Sequence, residues 1–200
     1  MKVELYRCDG IEDDIIETAM LTKGLKLSQL EISKTAFITS LLAKKHMTPF
    51  EFVRLIFKIR CSRACHSQFL QYRTASRLTR SLRFVEPLEL SNLELINDIP
   101  NGFRKTYAEQ ALKEYQFQVS RGIKPQEARG ILPLDILTEF YWYIDLRNLL
   151  HFFEERLYKT AQAEIRQAAG ALYKIARETF PITIKAWEQI IKEEQKNETW

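Results

Sequence analysis

Residues Gln68 to Arg83 read Gln-Phe-Leu-Gln-Tyr-Arg-Thr-Ala-Ser-Arg-Leu-Thr-Arg-Ser-Leu-Arg, sixteen positions without a carboxylate. Arg73, Arg77, Arg80 and Arg83 can each offer a planar fork of donors to an anion, and Thr74, Ser76, Thr79 and Ser81 can add shorter hydrogen bonds. A solvated basic face is the plainer reading of such a run. Upstream, Glu51 to Arg60 alternates apolar Val53, Leu55, Phe57 and Ile59 with charged residues, the period of a strand with one buried face. Ser62 is placed to cap a helix through Gln71. The arginines therefore start at a helix C-terminus and continue in a loop that returns to a strand near Leu82 to Leu88. Loops of that kind are where ligands are reached.

The rest of the chain predicts helices packed on a mainly antiparallel sheet, an α/β (α+β) fold. Lys2 to Arg7 alternates as an edge strand does, and a helix beginning near Asp13 is closed by Gly24. A second helix is expected over Glu31 to Lys45, with Ile32, Ala36, Ile38 or Thr39, and Leu42 inward. Lys105 to Arg121 reads as a helix ended by Gly122, with Tyr107, Ala111, Leu112, Tyr115 and Val119 on its apolar side. Pro125 opens a short helix. Ile136 to Ile144 is rich in aromatic and branched residues and reads as a strand, after which Asp145 caps the next helix. On that helix Arg147, His151 and Glu155 share a face opposite Leu149, Phe152 and Phe153. Two more helices follow, over Thr160 to Glu178 and from Pro181, with a charged, frayed end over Lys192 to Trp200.

With 200 residues and 46% hydrophobic content, the chain can bury one sizeable core, so one domain over residues 1–200 is expected. Thirty basic against 26 acidic residues leave a formal charge of +4, too balanced for a dedicated nucleic-acid binder but suited to phosphorylated small molecules if the arginines cluster. Three cysteines and no apolar leader over Met1 to Gly10 point to a reducing, cytoplasmic compartment. No apolar run is long enough for a membrane span. Cys61, Cys65 and His66 lack a second ligand pair at metal spacing, so no metal site is expected. There is no Gly-x-Ser-x-Gly elbow, and Ser81 has no general base nearby, so it reads as a phosphate donor rather than a nucleophile. Six scattered glycines build no phosphate loop. A nucleotide bound here must be gripped by side chains.

Gln71-Tyr72-Arg73, seven further residues and Ser81 resemble the Arg-His-Arg and distant Ser signature of the flavin-dependent thymidylate synthases, with Ala75-Ser76 and Arg83 in register. His46, Thr48-Pro49-Phe50-Glu51, Ala128-Arg129, Leu132-Pro133-Leu134, Asp145 to Leu149, Arg156 and Ala161 to Ile165 follow the family's order and intervals, from about residue 40 to 180. The resemblance implies a one-carbon transfer from methylenetetrahydrofolate to dUMP, giving dTMP, with reduced FAD as hydride donor and NADPH as its reductant. No protein nucleophile is required. It further implies that Gln68, Ser81, Leu82, Arg83 and Arg129 hold dUMP, with Arg156 against the uracil imide as the catalytic group. His46, Thr48, Gln71, Tyr72, Arg73, Asp145, Arg147 and His151 would line FAD. The family forms homotetramers with active sites between subunits, which is the assembly expected here.

Three positions depart from the family's pattern. Gln71-Tyr72 stands for Arg-His, Thr79 for an acid, and Asp145 for Asn. These changes leave open a related pyrimidine nucleotide modification such as hydroxymethylation, or a non-catalytic nucleotide-binding relic. The plain alternatives are surface arginines at Arg129 and Arg156, a His151 bonded along its own helix, and core aromatics at Tyr141 to Tyr143 and Phe152-Phe153.

Overall fold

The computed structural model describes residues 1–83 and 102–197. Its strands are β1 (Lys2–Asp9), β2 (Arg54–Ser62), β3 (Ser76–Thr79) and β4 (Leu137–Asp145), in one antiparallel sheet of order β1-β2-β4-β3. The helices are α1 (Glu12–Leu21), α2 (Lys34–Ala43), α3 (Arg63–Leu70), α4 (Gly102–Ser120), α5 (Pro125–Ala128), α6 (Leu146–Arg156), α7 (Ala163–Thr179) and α8 (Pro181–Asn197). Short 3-10 turns occupy Thr48–Phe52 and Arg129–Ile131. Packing divides the chain into two compact units. The first comprises Met1–Lys2, Lys58–Arg73 and Arg77–Tyr141, and the second Val3–Phe57, Thr74–Ser76 and Trp142–Trp200.

Alternation fixes the register of the two long strands. Val53, Leu55, Phe57 and Ile59 are fully buried, as are Trp142 and Ile144, with Phe140 and Thr138 nearly so. A slip of one residue would turn every one of these side chains to the opposite face, which makes the register costly to change. In the first unit, Phe69 of α3 meets Phe140 edge to face at 5.2 Å. In the second, Trp142 lies 6.3 Å from Phe57 and 5.0 Å from Phe152 of α6, while α2 packs on α8 and α7 on both α6 and α8. Aromatic pairs at these separations add to the area they bury.

Several boundaries differ from those expected. Helix α2 begins only at Lys34, because Ser33 caps it by accepting from the Ala36 N–H at 3.1 Å; Ile32 and Ala36 are exposed, and Ile38 and Leu42 carry its buried stripe. On α4 it is Ala108 that is buried with Tyr115, while Tyr107 lies 72% exposed. The strand of this stretch is β3, which lies within the arginine run, while Leu82 and Arg83 form a turn; the remainder of the strand expected from Leu82 falls at residues outside those described. Helix α8 continues through Lys192 to Asn197, where a frayed end was expected.

Asp145 caps α6 with both carboxylate oxygens. Oδ1 accepts from the Asn148 N–H at 2.8 Å and Oδ2 from the Asn148 side-chain amide at 2.6 Å. Asn and Asp serve about equally well at such a position, so this departure from the family's usual Asn preserves the helix start. Asp145→Ala is expected to cost roughly 1 kcal/mol of stability, read as a lower denaturant midpoint.

Candidate functional site

In the first unit the arginine run is ordered from below. Ser62 accepts from the Cys65 N–H at 3.0 Å and starts α3, whose inward face carries Cys65, His66 and Phe69. At the other end of α3, the Arg77 guanidinium donates to the carbonyls of Phe69 and, at 2.7 Å, of Tyr72. It satisfies acceptors that a helix C-terminus leaves over. Arg77 is therefore a clamp on the Gln71-Tyr72-Arg73 segment, where the sequence had offered it as an anion ligand. Within that segment Tyr72 is buried while Gln71 and Arg73 stand exposed.

Of the residues expected on dUMP, Leu82 lies in one apolar cluster that Ser81, Arg83 and Arg129 border. Leu82 is buried against Tyr115, Ala128 and Ile136, with Leu112, Val119 and Leu132 packed around them. Leu82 thus acts as the anchor that carries Ser81 and exposed Arg83 on either side, and Ala128 carries Arg129. The Ser81 hydroxyl accepts from the Arg83 N–H at 3.2 Å and shapes the turn between them. Gln68, half-buried on α3, belongs to the same unit.

His66 was weighed in the sequence only as a metal ligand. The structure gives it different work: it is 7% exposed, its Nε2 lies 2.9 Å from the Thr79 hydroxyl, and its ring meets Phe140 edge to face at 4.6 Å. Burial first, then the Arg63 and Arg77 charges, push its pKa down to about 4. Thr79, which stands where the family has an acid, is thus held by a neutral imidazole. Among the described residues no group of three His, Cys, Asp or Glu side chains could hold a metal ion. No helix there is long and apolar enough to cross a membrane.

The second unit holds the remaining expected residues. Arg147 and His151 lie on the exposed face of α6; Arg147 pairs with Glu51, and His151 stands 3.5 Å from Glu154 and 3.4 Å from Glu155. Such exposed pairs are worth little and can exchange for a ligand. Both residues line a groove of about 400 Å³ with Leu42, Lys45, Met47 and Trp187. His46 and Thr48 flank Met47 and are exposed. Asp145 lines a second cleft with Glu51, Arg54, Thr74 and Tyr143. Arg156 closes α6, its side chain 22% exposed and its Nη2 3.9 Å from Glu155. Trp142 is core, as its sequence context suggested.

The family model described as "Thymidylate synthase complementing protein" matches residues 9–182. A flavin-dependent thymidylate synthase of Thermus thermophilus is 30% identical over 203 residues, covering 90% of this chain and 75% of its own. The chain belongs to the flavin-dependent thymidylate synthase family. The Thermotoga neapolitana member is 27% identical, covering 92% of this chain and 89% of its own. Among solved structures, a UMP/dUMP methylase PolB from Streptomyces cacaoi bound with 5-Br dUMP superposes with a TM-score of 0.79 at 21% identity, covering 94% of each chain. At that identity the likeness establishes the fold.

Proposed function

We propose that the chain is a single-domain, cytoplasmic flavoenzyme that transfers a one-carbon unit to the pyrimidine of dUMP, giving dTMP, and that it works as a homotetramer. One observation carries the reading: the Leu82 cluster brings the Ser81 to Arg83 turn and Arg129, remote from it in sequence, to one region of one unit. Ser81, Arg83 and Arg129 would hold the phosphate and Gln68 the nucleoside. Arg156 would set its planar fork against the uracil imide and stabilise negative charge as it develops. Arg147 and His151 of the α6 groove, and the exposed Thr48, Gln71 and Arg73, are guanidinium, imidazole, hydroxyl and amide groups. Their chemistry suits the phosphates and polar ring edge of FAD, with His46 beside them and Asp145 holding the start of α6. When bound and reduced by NADPH, FAD is the source of the hydride that accompanies the carbon of methylenetetrahydrofolate. Membership of the family and the names its relatives carry support this reading.

Incubation of FAD-reconstituted protein with dUMP, methylenetetrahydrofolate and NADPH, followed by product mass, tests it. A methylated product is expected. A hydroxymethylated product would favour the rival modification, to which the Thr79 hydroxyl in place of an acid lends weight. Tight dUMP binding without turnover would mark a relic, and protein that takes up no FAD would overturn all catalytic readings. UMP belongs in the same assay, since the superposing PolB is described as a UMP/dUMP methylase. Arg83→Ala is expected to weaken dUMP binding by about 1.5 to 3 kcal/mol, the worth of a charge-assisted hydrogen bond, read by calorimetric titration.

A further inference from the structure

Arg63 opens α3 directly after β2, at a position that neither the arginine run nor the family motif includes. Its backbone is fixed: the Arg63 N–H donates to the Ile136 carbonyl at 3.0 Å and the Ala64 N–H to that of Leu134 at 3.1 Å. Ile136 is a member of the apolar cluster that also holds Ala128, the neighbour of Arg129, and Leu82, the neighbour of Ser81 and Arg83. Half-buried Arg63 and exposed Arg129 therefore both border this one cluster. The two guanidiniums sense each other: burial first and the Arg129 charge second lower the Arg63 pKa. No salt bridge joins either of them to a carboxylate among the described residues.

A half-buried cation placed against a like charge weakens the fold, and surface arginines ordinarily avoid the arrangement or recruit an acid. Such a cost is characteristic of a site where a ligand supplies the missing charge. In the same cluster the fully buried Tyr115 has a hydroxyl with no hydrogen-bond partner among the described residues, and the Arg129 charge acts on it as well. The N-terminus of α3 is not the attraction, because its Cys65, Arg63 and Ala64 N–H groups already have acceptors.

We propose that Arg63 and Arg129 together form the principal grip on the phosphate dianion of the nucleotide, with Arg63 a further binding residue of the site. Two forks can take up to four of the phosphate's lone-pair positions, and a dianion offsets their mutual repulsion in a way a monoanion or a neutral nucleoside cannot. The proposal rests on the nucleotide reading of this site given above. It predicts that affinity depends on phosphate charge through Arg63, and not merely on the Ser81 to Arg83 turn.

The test is calorimetric titration of wild-type, Arg63→Met and Arg63→Lys protein with dUMP, deoxyuridine and inorganic phosphate, without any turnover. Arg63→Met is expected to weaken dUMP by ten- to a hundredfold and inorganic phosphate comparably, with deoxyuridine unchanged within twofold. Arg63→Lys should fall between wild type and Arg63→Met, since it keeps the charge and loses the fork. Wild-type protein that binds neither dUMP nor phosphate overturns both the nucleotide reading and this proposal. Wild-type protein that binds phosphate through Arg63 but ignores dUMP overturns only the nucleotide reading. If wild type and Arg63→Met, or Arg63→Lys should Arg63→Met not fold, bind dUMP and phosphate equally, the assignment of Arg63 is wrong while the nucleotide reading stands.

Discussion

Arg156→Lys is expected to lower turnover at saturating dUMP by roughly ten- to a thousandfold, the effect of losing one preorganised donor aimed at developing charge. The guanidinium closes α6, where the helix dipole favours a cation, and it is largely withdrawn from solvent, so its field is little screened. Lysine keeps the charge and the favourable helix end, and Leu149, Phe152 and Phe153 hold the helix in the core either way. What it cannot supply is a second coplanar donor for a planar imide edge. FAD uptake, followed by flavin absorbance, should be unchanged because Arg147 and His151 lie on the exposed face of the same helix. A variant that turns over like wild type at saturating dUMP would remove Arg156 from the chemistry.

Acid should destabilise the fold through His66. Its folded pKa, about 4, lies below the ordinary value of 6.5, so the unfolded chain takes up a proton that the folded chain refuses. The sign follows directly. Stability from this group is complete above pH 6.5, declines as the pH falls toward 4, and declines no further below that. The full loss is on the order of 3 kcal/mol, since each tenfold difference in proton affinity between folded and unfolded chain is worth about 1.36 kcal/mol. Arg63 and Arg77 reinforce burial because both would face the imidazolium, and Thr79 adds only a neutral hydroxyl. Urea denaturation of wild-type and His66→Gln protein at several pH values between 7.5 and 4 isolates the effect, since every other titrating group is common to both. The variant should show the flatter dependence; parallel curves would mean that His66 is not held neutral.

The long alternating segments could be read without the structure. Val53 to Ile59 and Phe140 to Ile144 are strands because a period of two leaves no other buried face, and Ser62 and Asp145 announce helices through the hydroxyl and carboxylate they carry. Helix α2 was drawn too long because propensity does not reveal which end a cap will claim, and Ser33 claimed it. Tyr107 was placed inside for its aromatic ring, although the apolar stripe of α4 is set by Ala108 and Tyr115, two turns apart on one face. For the site, motif spacing supplied the residue types, yet it gave Arg77 and Arg83 the same weight. Only the position of the Phe69 and Tyr72 carbonyls separates a structural clamp from a ligand. Arg63 was passed over, and His66 was weighed only as a metal ligand, for the opposite reason: each lies outside the motif, and its meaning comes from Ile136, Thr79 and Arg129, partners remote in sequence. A buried phase on α3, with Cys65, His66 and Phe69 inward, was the one available signal for His66.

The Arg77 clamp bears on how quickly a nucleotide can be captured. A segment such as Gln71 to Arg73, left untied, would wander among many backbone conformations and would have to be frozen at each encounter, at roughly 1 to 2 kcal/mol per residue. With the Tyr72 carbonyl, and that of Phe69 just before the segment, held by a guanidinium of the same chain, that ordering is completed during folding. Capture should then proceed in one kinetic phase whose observed rate rises linearly with nucleotide concentration, without the plateau that a slow rearrangement imposes. Arg77→Met, which releases the segment, would introduce that plateau.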